Sequence, residues 1–180
     1  MSALISETSA RSAISLALAA QLRALRSELG APGKPKRGQV HRLRVATRRL
    51  LAALDLARAS GAVVPGAAPR RLEKLLDGLS PLRDAQVMAR GLEQLPESAA
   101  RSTLLERVER QQRQQRARTA KRLRRFDADK LAAHVSRVGE WVAAGERPAP
   151  RLGELAVTGF LAQQQLSIDL QRARAQQASP

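Results

Sequence analysis

The sequence predicts an all-α protein, an antiparallel bundle of about six to seven helices. Three observations carry this. Aromatic residues are 2% of a chain that is 43% hydrophobic, with one Trp, two Phe and no Tyr, so Ala and Leu must fill the core. Strand formers are scarce, and no long run alternates apolar with polar residues. Apolar residues recur instead at steps of three and four, which place them on one helix face. With 180 residues the chain is long enough for one domain with a real core, and residues 1–180 read as a single helical domain.

A first helix is expected over residues 9–29, with Ile14, Leu18, Leu22, Leu25 and Leu29 as its stripe. Gly30 ends it, and the Pro-, Gly- and Lys-rich stretch 31–38 is a linker. The second helix spans 39–59, with a loop at 60–69 after it. A third begins near Arg70 and carries Leu72, Leu75, Leu76 and Leu79. Ser80-Pro81 then reads as the start of a fourth, because Ser can cap a helix and Pro is tolerated at its first position. That helix holds Leu82, Val87, Met88 and Leu92 and stops near Pro96. The fifth runs over 98–126. The sixth, over 129–144, carries Leu131, Val135, Val138 and Trp141, and the Pro-rich stretch 145–150 breaks it. A seventh is expected over 152–175, with a polar tail that frays after about 175.

Charge is the strongest signal of function. Thirty-two Lys and Arg stand against 16 Asp and Glu, a net charge of +16. Such a surface attracts polyanions with a strongly salt-dependent affinity. Arg outnumbers Lys, which favours planar, multidentate contacts to phosphate. The chain has no cysteine, which excludes disulfides, iron–sulfur clusters, thiolate catalysis and cysteine–zinc sites. Two histidines leave little for metal ligation. No Walker loop, dinucleotide fingerprint or zincin motif occurs, and no acidic pair has metal-site spacing on a helix face that can be placed. No run reaches the 18 apolar residues of a membrane span, and the first helix lacks a signal-peptide layout, so a cytoplasmic protein is expected.

The cations are patterned. His41, Arg44 and Arg48 fall within roughly a 60° arc at about 100° per residue, nearly opposite Leu43, Leu50 and Leu54. The segment 42–49 has four arginines and no acid. A face chosen for solubility alone would mix signs, so anion binding is the favoured reading over a plain solvated face. His41 suits a hydrogen-bond donor to an anion oxygen better than a general base, since no nucleophile or orienting carboxylate is evident beside it. Arg49 lies to the side, at the rim. Arg83-Asp84 allows two readings of equal weight: Asp84 favours the helix dipole, or it orients a donor toward a ligand. Arg71 and Lys74, three residues apart, can join the cationic surface.

The fifth helix has no large aliphatic residue between Val108 and Leu123, and nine basic side chains lie from Arg107 to Arg125. Arg107, Arg110, Arg118, Lys121 and Arg125 follow one stripe, with Gln114 at the missing step. A helix so polar must line a surface, a groove or a wetted interface. No aromatic residue interleaves with these arginines, which weakens a base-stacking role. His134 and Trp141 read as structural.

The stretches VHRLRVATRRLLAALDL (40–56) and LEKLLDGLSPLRDAQV (72–87), and the roughly 40 residues that separate their His and Arg-Asp marks, resemble the CHAD family, the conserved histidine α-helical domain. The likeness covers 9–125 well and the rest loosely. It implies a helical protein, related to members built of two four-helix halves around a basic cavity, that binds inorganic polyphosphate without catalysis and is associated with polyphosphate granules. His41 matches the family histidine, and Arg44, Arg48 and Arg49 the basic positions after it. Lys74 matches a basic position on the next helix, and Arg83 and Asp84 the Arg-Asp pair. Arg118, Lys121, Arg122 and Arg125 resemble the basic helix lining the same cavity. The family normally repeats its histidine-and-arginine helix, and this sequence holds one copy. The resemblance then implies either that half a cavity suffices or that a homodimer completes it. Nucleic-acid binding is the alternative function, and a polyphosphate-processing enzyme is the less favoured third.

Overall fold

A computed structural model describes residues 2–30, 35–36 and 38–144, with side chains from residue 11 onward. The described residues form five helices and no strand: α1 (Ser2–Leu29), α2 (Gln39–Ala59), α3 (Ala67–Glu93), α4 (Ala99–Arg125) and α5 (Ala128–Ala144). The helix expected over 152–175, with its tail, lies outside the described residues.

Five helices stand where six were expected over this span, because the third and fourth are one. α3 runs through Pro81 without a break. A capping Ser accepts a hydrogen bond from a downstream N–H, whereas the Ser80 hydroxyl donates backward to the Leu76 carbonyl at 2.9 Å, as a mid-helix serine does. Pro81 removes the N–H that the Asp77 carbonyl would have accepted. The buried stripe nevertheless holds its phase across the site, through Leu72, Leu75, Leu79, Leu82, Ala85 and Ala89. That same register turns Val87 and Met88 outward, each about half exposed.

Helix ends follow local chemistry. Ser98 caps α4 by accepting from the Arg101 N–H, and Asp127 does the same for the Lys130 N–H at the start of α5. α2 ends in a Schellman arrangement: Gly61 N–H reaches the Arg58 carbonyl and Ala62 N–H the Ala57 carbonyl, both at 2.9 Å. Gly61 has φ 89, a left-handed value that suits glycine, and the buried Ala62 then seals the turn.

The packing order is α5, α1, α2, α3, α4, with smaller contacts from α5 to α2 and α3. α1, α2, α3 and α5 share one apolar cluster, centred on Leu18, Leu25, Leu43, Leu50, Leu54, Leu72, Leu79, Leu131, Val135 and Val138. Trp141 and Leu29 pack against it half-buried. His134 is half-buried, its Nδ1 paired with the Lys130 carbonyl of the preceding turn. α4 buries only Val108, Thr119 and Ala120 along its length. Small residues on both sides, Ala85 and Ala89 facing outside the main cluster and Ala120 on α4, allow this polar helix to approach α3 closely. Polar pins complete the seam: Gln112 donates to the Ala85 carbonyl and Arg101 to the Leu92 carbonyl, both at 3.0 Å. Among the described residues no helix is long and apolar enough to cross a membrane.

Leu72 is fully buried and Leu16 is 68% exposed. Leu72→Ala is therefore expected to lower the unfolding free energy by about 2–5 kcal/mol in a urea titration. Leu16→Ala should change it by less than about 0.5 kcal/mol.

Candidate functional site

α2 presents its cations because its other face is committed to the core. Val40, Leu43, Leu50 and Leu54 are buried, and His41, Arg48 and Arg49 are exposed. Arg42 is neutralised, its Nε donating to both Glu28 carboxylate oxygens at 2.9 Å. Arg44 differs from all of these. It is half-buried and reaches α3, where one guanidinium nitrogen donates to Ser80 Oγ at 2.6 Å and to the Leu76 carbonyl at 3.3 Å. Arg44, Ser80 and the Leu76 carbonyl thus form a closed triangle one turn before Pro81. Burial pushes the Arg44 guanidinium below its ordinary range; Arg48 adds to the effect, Asp84 opposes it and Arg83 adds a little more. Arg44 stays charged at neutral pH. Arg48, Arg83 and Asp84 thus act on the charge of Arg44 where α2 meets α3, and an anion there would relieve the surplus of positive charge.

A second group of cations sits where α3 meets α4. A hollow of about 500 Å3 is lined by the cations Arg71, Lys74, Arg122 and Arg125, by the carboxylates of Asp77 and Asp127, and by Leu75, Leu79, Leu123 and Phe126 as its apolar part. Gly78 belongs to this hollow for a steric reason. A Cβ there would lie 2.7 Å from Arg122 Nη1 and 3.0 Å from its Cδ, so the Arg122 side chain occupies the space that any other residue would fill. Glycine inside a helix is destabilising by roughly 1 kcal/mol relative to Ala, and the close passage of Arg122 is what that loss accommodates.

Farther along the same seam a hollow of about 450 Å3 has Arg83, Arg90, Arg113 and Arg116 beside Glu93 and Glu109. Its lining carries the same charges as the first, four cations and two carboxylates, but two of its arginines are engaged: Arg113 lies 3.9 Å from Glu109, and Arg116 donates to the Pro35 carbonyl at 2.8 Å. Arg83 belongs both here and to the surroundings of Arg44.

The expected site residues therefore divide. Lys74, Arg122 and Arg125 line the α3–α4 hollow, while Arg48, Arg83 and Asp84 act on the charge of Arg44 where α2 meets α3. His41, Arg49, Arg118 and Lys121 are exposed and line neither hollow. Sequence reasoning left Arg71 at the margin and missed Gly78 and Ser80. Gly78 was detectable as a glycine in the middle of a long helix. Ser80 was seen and assigned to a cap. Among the described residues no group of three or more His, Asp or Glu side chains is placed to hold a metal ion.

The family model for the CHAD domain matches residues 16–179, nearly the whole chain. No curated protein and no solved structure matches.

The Arg44 triangle makes a measurable claim about stability. In a double-mutant cycle by urea denaturation, Arg44→Ala and Ser80→Ala are expected to couple by about 0.5–1.5 kcal/mol. Arg48→Ala and Ser80→Ala should show no coupling, since Arg48 makes no hydrogen bond to Ser80.

Proposed function

The chain belongs to the CHAD domain family, and on that premise we propose that it is a non-catalytic binder of inorganic polyphosphate. The observation that carries this reading is the α3–α4 hollow, which Arg71, Lys74, Arg122 and Arg125 line together, with Arg122 passing over Gly78. Guanidinium groups give paired hydrogen bonds to neighbouring phosphoryl oxygens, and Lys74 adds a point charge. A hollow of about 500 Å3 admits a bare chain of phosphates, and a base-paired duplex only at its rim. His41, Arg44, Arg48, Arg49 and Arg83 form the second contact region, where Asp84 orients the arginines. Arg118 and Lys121 extend the first.

The same reading places the protein in the cytoplasm with polyphosphate granules, as one helical domain. A long polymer can be held by two copies of the chain, because its charge offsets the repulsion between two basic faces. Arg44 serves the site partly through the fold, since its bonds to α3 set the crossing of α2. Its replacement is consequently a poor probe of binding, and the α3–α4 hollow supplies better ones.

Isothermal calorimetry with long-chain polyphosphate tests the proposal. Lys74→Ala and Arg122→Ala should each weaken binding about tenfold, equivalent to about 1.4 kcal/mol. Reversing Arg137, which lies on α5 and outside both hollows, should change it less than about twofold. Gly78→Ala should leave the melting temperature unchanged or higher while weakening binding, because the new methyl displaces Arg122. Displacement of polyphosphate by duplex DNA at equal phosphate concentration would overturn the assignment in favour of nucleic acid. Release of orthophosphate by the purified protein with magnesium would overturn its non-catalytic part.

A further inference from the structure

The end of the molecule where α3 turns into α4 is built differently from the rest of the surface. Among the described residues six large apolar side chains are exposed, and four of them, Val87, Met88, Leu95 and Leu104, belong to this end. None of the four lines either hollow. Val87 and Met88 stand on the last turns of α3, on the side away from its buried Leu82, Ala85 and Ala89 at about 100° per residue. Leu104 stands near the start of α4. The seam bonds from Gln112 to Ala85 and from Arg101 to Leu92 bracket Met88 and Leu104 on the same stretch of the hairpin. Contiguous apolar exposure of this kind marks a surface that another protein covers.

Two further observations say what covers it. The first is Gly91, which lies among these side chains. Its φ is not positive, and a Cβ placed there would meet nothing within 4 Å. Glycine inside a helix is destabilising relative to Ala. At Gly78 the Arg122 side chain uses the space, whereas at Gly91 the space is open, as it is where the backbone of another chain comes close. The second is charge. Residues 87–106 carry Arg90 and Arg101 against Glu93, Glu97 and Glu106. Arg101 is folded back on the Leu92 and Glu93 carbonyls and lies 3.8 Å from Glu97. Residues 107–125 carry nine cations against Glu109 alone, half of the chain's net charge of +16. Two copies of so basic a chain repel each other over most of their surface, but not here. A patch with both signs and no excess suits a copy of itself, whereas a strongly charged partner would be met by one sign.

We propose that this end is the contact surface of a symmetric homodimer, in which Val87, Met88, Leu95 and Leu104 of two copies meet and Gly91 allows their helices to approach closely. A twofold axis uses the same patch on both copies, so one self-complementary surface suffices. The arrangement also keeps the basic segments apart. Arg122 stands on the same helix as Leu104, about 27 Å away at 1.5 Å per residue. Charge at a surface is felt over only about 8 Å at physiological ionic strength. Both α3–α4 hollows then stay open, on the far sides of the pair. The inference stands apart from the polyphosphate reading, since this dimer needs no polymer to hold it.

Sedimentation equilibrium on the full chain, free of any polyanion, tests this. At micromolar protein the unaltered chain should show the mass of two copies. Raising the salt should leave the pair as strong or stronger, because apolar burial holds it and residual repulsion is screened. Met88→Glu/Leu104→Glu changes two exposed positions, so circular dichroism should show unchanged helicity, while the dimer dissociation constant rises at least about tenfold. Gly91→Gln puts a better helix former at an open position and should also keep the helicity, yet weaken the dimer at least about tenfold by blocking the close approach. Val63→Glu, at an exposed position in the loop before α3, should change the constant less than about twofold. A monomer at every concentration would overturn the proposal. So would a dimer that dissolves as salt rises, one that withstands both patch variants, or one that Val63→Glu weakens equally. Polyphosphate binding is decided separately, by the calorimetry on Lys74→Ala and Arg122→Ala.

Discussion

The cations of α2 and α4 that reach α3 depend on that helix running unbroken through Pro81. The helix touches α2 along one side and α4 along another, and the cations of both neighbours are anchored or accommodated within one and a half turns of it. Arg44 arrives from α2 and is fixed by the Leu76 carbonyl and Ser80. Arg122 arrives from α4 and lies over Gly78. Had the chain broken at Ser80-Pro81, its two halves would meet α2 and α4 at independent angles, and these arrangements would not share a frame. A proline in a helix interior typically destabilises it by about 3 kcal/mol or more.

The charge excess constrains the rest of the fold. A chain at +16 repels itself, and its core must be formed without bringing those charges inside. Leu, Val and Ala on four helices supply that core, while α4, which has almost nothing apolar to bury, is attached as an outer layer through alanines and side-chain amides. This layering leaves the cations of α4 at the surface of the molecule. A polyanion bound there removes repulsion as well as adding contacts, so ligand binding and the stability of the α4 layer are linked.

Periodicity made much of this legible. The ends of α2 coincide with the expected ones, and its buried Leu43, Leu50 and Leu54 lie opposite His41, Arg44 and Arg48 as the spacing requires. The fused α3 was hidden because serine before proline carries two meanings, a cap or a back-bonded interior residue, and local chemistry does not choose between them. The unbroken phase of Leu72, Leu75, Leu79 and Leu82 does choose, since a new helix would begin a new phase. The site was less legible than the fold. Spacing along one helix tells which cations share a face, so the α2 arc and the α4 stripe could be drawn. It does not tell which helix lies next to which. Lys74 and Arg122 are 48 positions apart by their numbers in the chain, and only the packing of α4 on α3 brings them to one hollow.

Arginine does two kinds of work here, and burial separates them. The Arg44 guanidinium uses one nitrogen on α3 and sits in a partly desolvated place, where replacing it would take the donor from the Ser80 hydroxyl and leave the Leu76 carbonyl only its bond from Ser80. Arg122 passes over a glycine with its charge near open solvent, where its removal uncovers nothing that needs a partner. The first kind of residue is tied into the fold, and the second has its charge open to an anion. A linear polyanion rewards this division. It asks for several donors at fixed intervals more than for one deep pocket, and fixed intervals are what rigid helices provide. On the proposed function, the half-buried arginine is part of recognition without having to be its strongest contact.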